Sequence, residues 1–259
     1  MQVYTRTREP DNTDVIITYK QIIMNKQNGD MYAFVTHTSN PIKGLCPHEC
    51  CYCYMKPIYN RFKLDPNFRL DVKELNANLG NGNFIFLGSS TDMFANIVPT
   101  EWILKVYDHC NQYGQNKYLF QSKNPVRFLE PGLINHPLMQ KKGDLFFATT
   151  LETNREQPTV SNAQSMSERM QAMGKLREAG FGVMITMEPI MDFDLNDVMA
   201  MMQYVQPFQV NIGCNTSRSV HLPEPSRDKI IELVHALRQY TSVVLKANSS
   251  RILGELEHI

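Results

Sequence analysis

Cysteines dominate the chemistry this chain can offer. Four of its six lie in one short stretch, Asn40–Tyr54, with the sequence NPIKGLCPHECCYCY. Cys46, Cys50 and Cys53 are spaced Cys-x3-Cys-x2-Cys, and Cys51 is an additional thiol inside the motif. Three thiolates from one loop can hold three irons of a [4Fe–4S] cube. A closed electron-transfer cluster takes four cysteines. Three leave one iron open to a ligand, as a catalytic zinc site keeps one position open. Two plainer readings compete: a structural zinc site completed by His48 or Cys51, and a set of unliganded thiols. Zinc ligands usually come as two separated pairs, and no second Cys-x2-Cys or His-x3-His pair exists here. Cys110 and Cys214 stand alone.

The loop must be held by something. From Met31 onward the chain repeats a short apolar run, a loop and a helical stretch. The strand candidates are 32–37, 83–88, 117–122, 144–151, 182–187, 209–213 and 242–247, each rich in Val, Ile, Phe or Tyr. The helix candidates are 101–112 behind an N-cap at Thr100, 161–179 ending at Gly180, 195–204, and 226–240 with its apolar stripe Ile230, Ile231, Leu233, Val234 and Leu237. Cys110 reads as a core residue, Trp102 as core or interface, and Met199, Met201 and Met202 as core filler. Such alternation implies βαβ units around a parallel sheet, six or seven of them, in a partial or complete barrel. Ligands of such folds gather at the C-terminal ends of the strands. Upstream, residues 1–30 read as an N-terminal extension, irregular up to a strand or hairpin arm at 13–24 before a turn at Asn28-Gly29; residues 31–259 read as the barrel.

Composition narrows the class. Twenty-six Lys and Arg balance 26 Asp and Glu, so no global field draws the chain to nucleic acid. A hydrophobic fraction of 42% with 20% charged residues is that of a globular domain. No apolar run approaches the roughly 18 residues of a membrane span. The N-terminus has no apolar signal core, and the clustered thiols call for a reducing compartment, so the cytoplasm is expected.

Cys-x3-Cys-x2-Cys after the first barrel strand, with an aromatic residue (Tyr52) before the last cysteine, resembles the radical S-adenosylmethionine (SAM) superfamily. The segments FIFLGSSTDMF (84–94), FQSKNP (120–125), TTLETNRE (149–156), MEPIMD (187–192), VNIGCNT (210–216) and VVLKAN (243–248) resemble a phage- and bacteria-associated subgroup of it, the Gp37/Gp68-like (DUF5131) proteins. That subgroup is similar in turn to the spore photoproduct lyase branch. The resemblance spans about residues 31–250. It implies a partial (β/α)6 TIM-like barrel and a [4Fe–4S] cluster on Cys46, Cys50 and Cys53. It further implies that the amine and carboxylate of SAM bind the open iron, that SAM is cleaved reductively to methionine and a 5′-deoxyadenosyl radical, and that the radical takes hydrogen from a substrate. Cys46-x4-Cys51-x-Cys53 is not the family spacing, so Cys51 is the extra residue.

The resemblance also lends roles to the strand ends. Tyr52 borders adenine. Gly88, Ser89 and Ser90 can accept from the SAM ammonium, and Asp92 adds negative charge, although the family's Gly-Gly-Glu form is absent; the plainer reading is a βα loop with Thr91 or Asp92 capping a helix. Lys123 pairs the SAM carboxylate or a ribose oxygen, against a solvated loop lysine. Glu152 accepts from both ribose hydroxyls, against a surface pair with Arg155. Glu188, Asn211, Cys214 and Lys246 ring the mouth where a substrate sits. Cys214 would return a hydrogen atom to the substrate radical, as a cysteine does in the lyase branch; its plainer reading is a buried core thiol.

The substrate is a small molecule or nucleotide on this reading, and the lyase resemblance also admits a nucleic acid. Arg61, Lys63, Arg69, Lys123 and Arg127 are candidates for a local basic rim. The chemistry requires an electron donor of flavodoxin or ferredoxin type. The competing classes are a non-enzymatic zinc or iron–sulfur module and a SAM sensor.

Overall fold

The computed structural model describes residues 2–8, 14–20, 24–27, 31–157, 160–217 and 219–255. β1 (Gln2–Arg8) and β2 (Asp14–Lys20) form an antiparallel hairpin. The hairpin partner at 2–8 lies in the stretch that sequence reading leaves irregular, and the turn expected at Asn28-Gly29 lies outside the described residues. β3 (Asn25–Lys26) pairs antiparallel with β4 (His37–Ser39), so residues before 31 contribute an edge to the main sheet. β5 (Ile42–Lys43) and the cysteine loop lead to α1 (Met55–Phe62). β6 (Arg69–Leu70), which pairs with β5, is followed by α2 (Val72–Leu75) and β7 (Phe84–Leu87). Then come α3 (Thr100–Gln112), β8 (Lys117–Gln121), α4 (Pro131–Ile134) and β9 (Leu145–Thr150). The chain closes with α5 (Met166–Glu178), β10 (Gly182–Met187), α6 (Leu195–Val205), β11 (Gln209–Ile212), α7 (Arg227–Leu237), β12 (Ser242–Leu245) and α8 (Ser250–Leu253).

The main sheet has the order β12-β11-β10-β9-β8-β7-β4-β3. Every pair from β4 to β12 is parallel, and β12 does not return to β3 or β4, so the sheet is an open, partial barrel. The strand period of two divides its side chains cleanly. Ile85, Leu87, Tyr118, Phe120, Phe147, Val183 and Ile185 face the helices in one large core. Phe86, Leu119, Ala148 and Met184 face the concave side, where they meet Tyr32 and Val35.

That contact corrects the first strand. The apolar residues at 32–35 suggest a strand over 32–37, but Tyr32–Val35 form a turn closed by Val35 N–H to Tyr32 O at 2.9 Å, and the strand begins at His37. Their apolarity serves to plug the concave face. α5 starts at Met166 rather than 161, because Ser165 and Glu168 form a reciprocal capping box.

Candidate active site

The cysteine loop is pinned from several sides. Gly44 has φ +131°, and a Cβ there would lie 2.8 Å from Phe68 Cα, so only glycine lets the loop pass. Thr91 Oγ1 donates to Gly44 O at 2.8 Å, and Gly44 N donates to the Tyr59 hydroxyl at 3.1 Å. On the far side, Cys51 N donates to Val160 O and Asn162 N to His48 O, at 2.9 and 2.7 Å. Cys50 Sγ lies 3.3 Å from Ser161 Oγ.

The loop opens on a cavity of about 490 Å³ at the C-terminal ends of the strands. Cys46, Cys50 and Cys53 line it, and Cys51 does not. Burial pushes the Cys46 thiol up to about 12, and the Asp92 charge adds to the effect. Among the described residues, no three His, Cys, Asp or Glu side chains converge on one point as a single ion requires. His48, one candidate for a fourth zinc ligand, is engaged elsewhere: its Nε2 lies 2.8 Å from Asp92 Oδ2.

Asp92 is the loop's counterweight. Oδ2 also accepts from Ser122 Oγ at 2.9 Å and Lys123 N at 2.8 Å, and Oδ1 accepts from Phe94 N at 2.9 Å. Burial alone would push this carboxyl up; the hydrogen bond and charge of His48 and the two amide donors hold it below the usual range. Asp92 therefore ties the cysteine loop to the ends of β7 and β8, and its carboxylate is already committed to protein donors. The neighbouring turn is shaped by Gly88, with φ +77°, whose N–H donates to Ser39 O. Ser90 N, Ser90 Oγ and Ser89 Oγ all donate to Asn40 Oδ1, at 2.9, 2.9 and 3.3 Å. Gly88, Ser89 and Ser90 line the cavity.

A buried ionic network forms a second wall. Lys123 lines the cavity, and its Nζ lies 2.5 Å from Glu152 Oε1 and 4.6 Å above the Tyr52 ring. The Tyr52 hydroxyl donates to the same carboxylate and accepts from Lys123. Arg169, from α5, donates to Glu152 Oε2 at 2.9 Å and to Thr150 O at 3.0 Å. Against burial, Lys123 and Arg169 hold the Glu152 carboxyl at about 2; Glu152 in turn outweighs burial at Lys123 and keeps its ammonium above the usual lysine range.

Glu152 is placed differently from the expectation. Expected to meet ribose, it is fully buried and does not line the cavity, because both carboxylate oxygens are bound by Lys123, Tyr52 and Arg169. Arg155, its alternative partner, instead grips Asp192 and Asp194.

The opposite wall holds Glu188, Cys214 and Lys246. Lys246 Nζ donates to Met31 O at 2.6 Å and lies 3.7 Å from Glu188 Oε2. Asn248 joins the group by donating to Glu188 Oε1 at 2.8 Å and accepting from Cys214 N at 3.2 Å. Cys214 is 1% exposed, and burial raises its pKa. Asn211 lies away from the cavity, its Oδ1 taken by Gln209 Nε2. The basic rim is not continuous: Lys123 is in the ionic network, Arg127 is buried against Ala95 O, Val98 O and Glu130, and Arg69 pairs with Asp65, while Arg61 and Lys63 are exposed.

Sequence reading passes over Arg169, Asn40, Asn248 and the His48–Asp92 pair. Arg169 alone carries a signal: with Met166, Met170 and Met173 it occupies the inward face of α5, where a charge needs a buried partner.

No family model and no curated protein matches the chain. Solved structures do. Spore photoproduct lyase with bound AdoMet and dinucleoside spore photoproduct superposes with a TM-score of 0.60 at 11% identity, over 85% of this chain and 78% of that one. A second structure of that lyase with the dinucleoside gives 0.58 at 12%, with the same coverage. Streptococcus suis SuiB bound to its precursor peptide SuiA gives 0.52 at 8%, over 81% of this chain and 48% of SuiB. The likeness is one of fold. The chain shares the open, partial α/β barrel of these proteins.

Proposed function

We propose that this chain is a radical SAM enzyme. The observation that carries the reading is the placement of Cys46, Cys50 and Cys53 on one cavity at the C-terminal strand ends, with Cys51 turned out of it. The donor set fits a [4Fe–4S] group: three thiols line one cavity, and His48, held by Asp92, is not presented as a fourth ligand. When bound, the cluster and SAM supply one-electron cleavage of SAM to methionine and a 5′-deoxyadenosyl radical.

The protein's own share is binding and positioning. Lys123 presents a fixed ammonium to the SAM carboxylate, with Glu152 and Arg169 setting its place. The Gly88–Ser90 turn lies where an ammonium would find oxygen acceptors, and the Tyr52 ring forms part of the wall for the nucleoside. Glu188, Lys246 and Cys214 face the substrate, with Cys214 in position to return a hydrogen atom. A cavity of about 490 Å³ has the size of a small-molecule site, and we assign it to SAM and, beside it, a substrate of small-molecule or nucleotide size. Six free thiols suit a reducing compartment, and the cytoplasm is the location we assign. We assign the chain to the Gp37/Gp68-like subgroup on the quoted segments, and we set the N-terminal extension apart from the barrel near residue 30, with β3 reaching across to pair with β4.

The test is anaerobic reconstitution, then dithionite and SAM, with iron and 5′-deoxyadenosine assayed together. About four irons per chain with 5′-deoxyadenosine formed is the expected result. Zinc in place of iron, or a reduced cluster that leaves SAM intact, would overturn it.

A further inference from the structure

One wall of the cavity carries a polar group with nothing to bind. Thr186, in β10, lines the cavity and is 3% exposed, and its hydroxyl has no hydrogen-bond partner among the described residues. A buried hydroxyl in that state costs free energy that a ligand can recover. Tyr32, also in the wall, donates its hydroxyl proton to Gln121 Oε1 at 2.7 Å, so towards a ligand the Tyr32 oxygen acts as an acceptor. The Thr186 hydroxyl lies close to that oxygen without a hydrogen bond of good geometry, and it can donate as well as accept. Tyr32 and Phe86, with ring centroids 5.9 Å apart, give the same region an apolar aromatic flank.

Charge is balanced in this region. Glu188 and Lys246 are its ionic side chains, and they lie 3.7 Å apart. Asn248 donates to the other Glu188 oxygen, and Lys246 also donates to Met31 O. Asp92 and Lys123 belong to the cysteine side, bound to His48 and Glu152. Among the described residues, a carboxylate or phosphate would therefore meet no uncommitted cation here, and its oxygens would face the Tyr32 acceptor. An ammonium offers only donors and would leave the Thr186 proton without an acceptor. A group with an N–H beside a C=O answers both needs: the N–H donates to Tyr32, and the carbonyl accepts from Thr186. Resting on the reading of the previous subsection, we infer that Thr186, Tyr32 and Gln121 determine the specificity of the substrate site, and that they take an uncharged, planar amide or imide. Gln121 acts through Tyr32, as the positioning residue that fixes the phenol proton.

The experiment measures binding of two neutral–anion pairs, uracil with orotate and nicotinamide with nicotinate, to the reconstituted chain by ligand-observed NMR. SAM is present without reductant, so that its own subsite is filled. At least one neutral probe is expected to bind the wild type about tenfold or more tightly than its anion. Thr186→Val keeps the shape and deletes the hydroxyl, and it should weaken that probe about tenfold. Thr186→Ser should restore most of the affinity, and Tyr32→Phe should weaken the probe as Thr186→Val does. A second readout needs no ligand. In the free chain Thr186→Val should raise the urea midpoint, because a methyl group replaces an unpartnered buried hydroxyl. A lower midpoint would show that the hydroxyl is already satisfied, by water for example, and overturns the inference. Failure of both neutral probes, equal binding of the anions, or undiminished binding by Thr186→Val overturns it as well. If SAM and dithionite give no 5′-deoxyadenosine in the wild type, the reading beneath it falls, whatever the probes do.

Discussion

Glu152 binds Arg169 with one carboxylate oxygen and Lys123 with the other, and it does so wholly out of solvent. Two cations against one anion leave a net positive charge, and of the network's ionic members it is Lys123 that lines the cavity, beside the neutral Tyr52. A lysine at a buried wall would tend to shed its proton and swing; Glu152 keeps it charged and aimed. Arg169 comes from α5 and Lys123 from the end of β8, so one carboxylate fastens a helix, a strand end and, through Tyr52, the cysteine loop.

Removing that carboxylate should be costly for a specific reason. Glu152→Gln leaves two buried cations facing an amide, and we expect a loss of about 3–5 kcal/mol by denaturant unfolding. Lys123→Met in the same background should recover part of the loss, since one unpaired charge disappears with it. A double-mutant cycle reads the coupling; additive effects of the two changes would show that the network is not the unit described.

The same pair fixes a pH dependence. Glu152 titrates at about 2 in the folded chain against 4.5 for the free side chain. A depressed carboxyl stabilises the fold fully above its unfolded value and loses that contribution as pH falls toward the folded value. Stability of the wild type should therefore decline from about pH 4.5 toward pH 2 more steeply than that of Glu152→Gln. Parallel pH–stability curves for the two proteins would refute the assignment.

The sequence reveals strand ends better than it reveals what those ends touch. Short apolar runs locate β7 to β12 within a residue or two, and the motif spacing separates Cys51 from its three neighbours, because both are local patterns. The plug at Tyr32–Val35 imitates a strand, since an apolar turn buried in a barrel mouth carries the same composition as a buried strand. Asp92 and Glu152 look like ligand acceptors because each is an acid at a strand end. What turns them inward is His48, 44 residues away from Asp92, and Arg169, 17 away from Glu152. Long-range pairing of that kind leaves almost no trace in one sequence.

Asp92→Asn tests whether the cysteine loop depends on its counterweight. Loss of the charged hydrogen bonds should cost about 2 kcal/mol and lower iron loading after reconstitution, with secondary structure unchanged by circular dichroism. His48→Ala should behave alike. His48→Gln, whose amide can still donate to Asp92, should load iron as the wild type does. Equal loading in all four proteins would mean that the pair stabilises the fold without positioning the thiols.

The cysteines give the sharpest division. Cys46, Cys50 and Cys53 share the cavity, whereas Cys51 lies outside it, its backbone N–H fixed to Val160 O. Alanine at any of the first three should remove one ligand of an already open site, deplete iron and abolish SAM cleavage. Cys51→Ala should keep both iron and cleavage near wild-type levels. Cys214→Ala, on the opposite wall, should keep both as well and change only the fate of the substrate radical. Iron analysis with 5′-deoxyadenosine quantification across the five variants decides the matter. Loss of iron in Cys51→Ala would move the ligand register, and loss of iron in Cys214→Ala would make that thiol a ligand or a structural residue rather than a hydrogen donor.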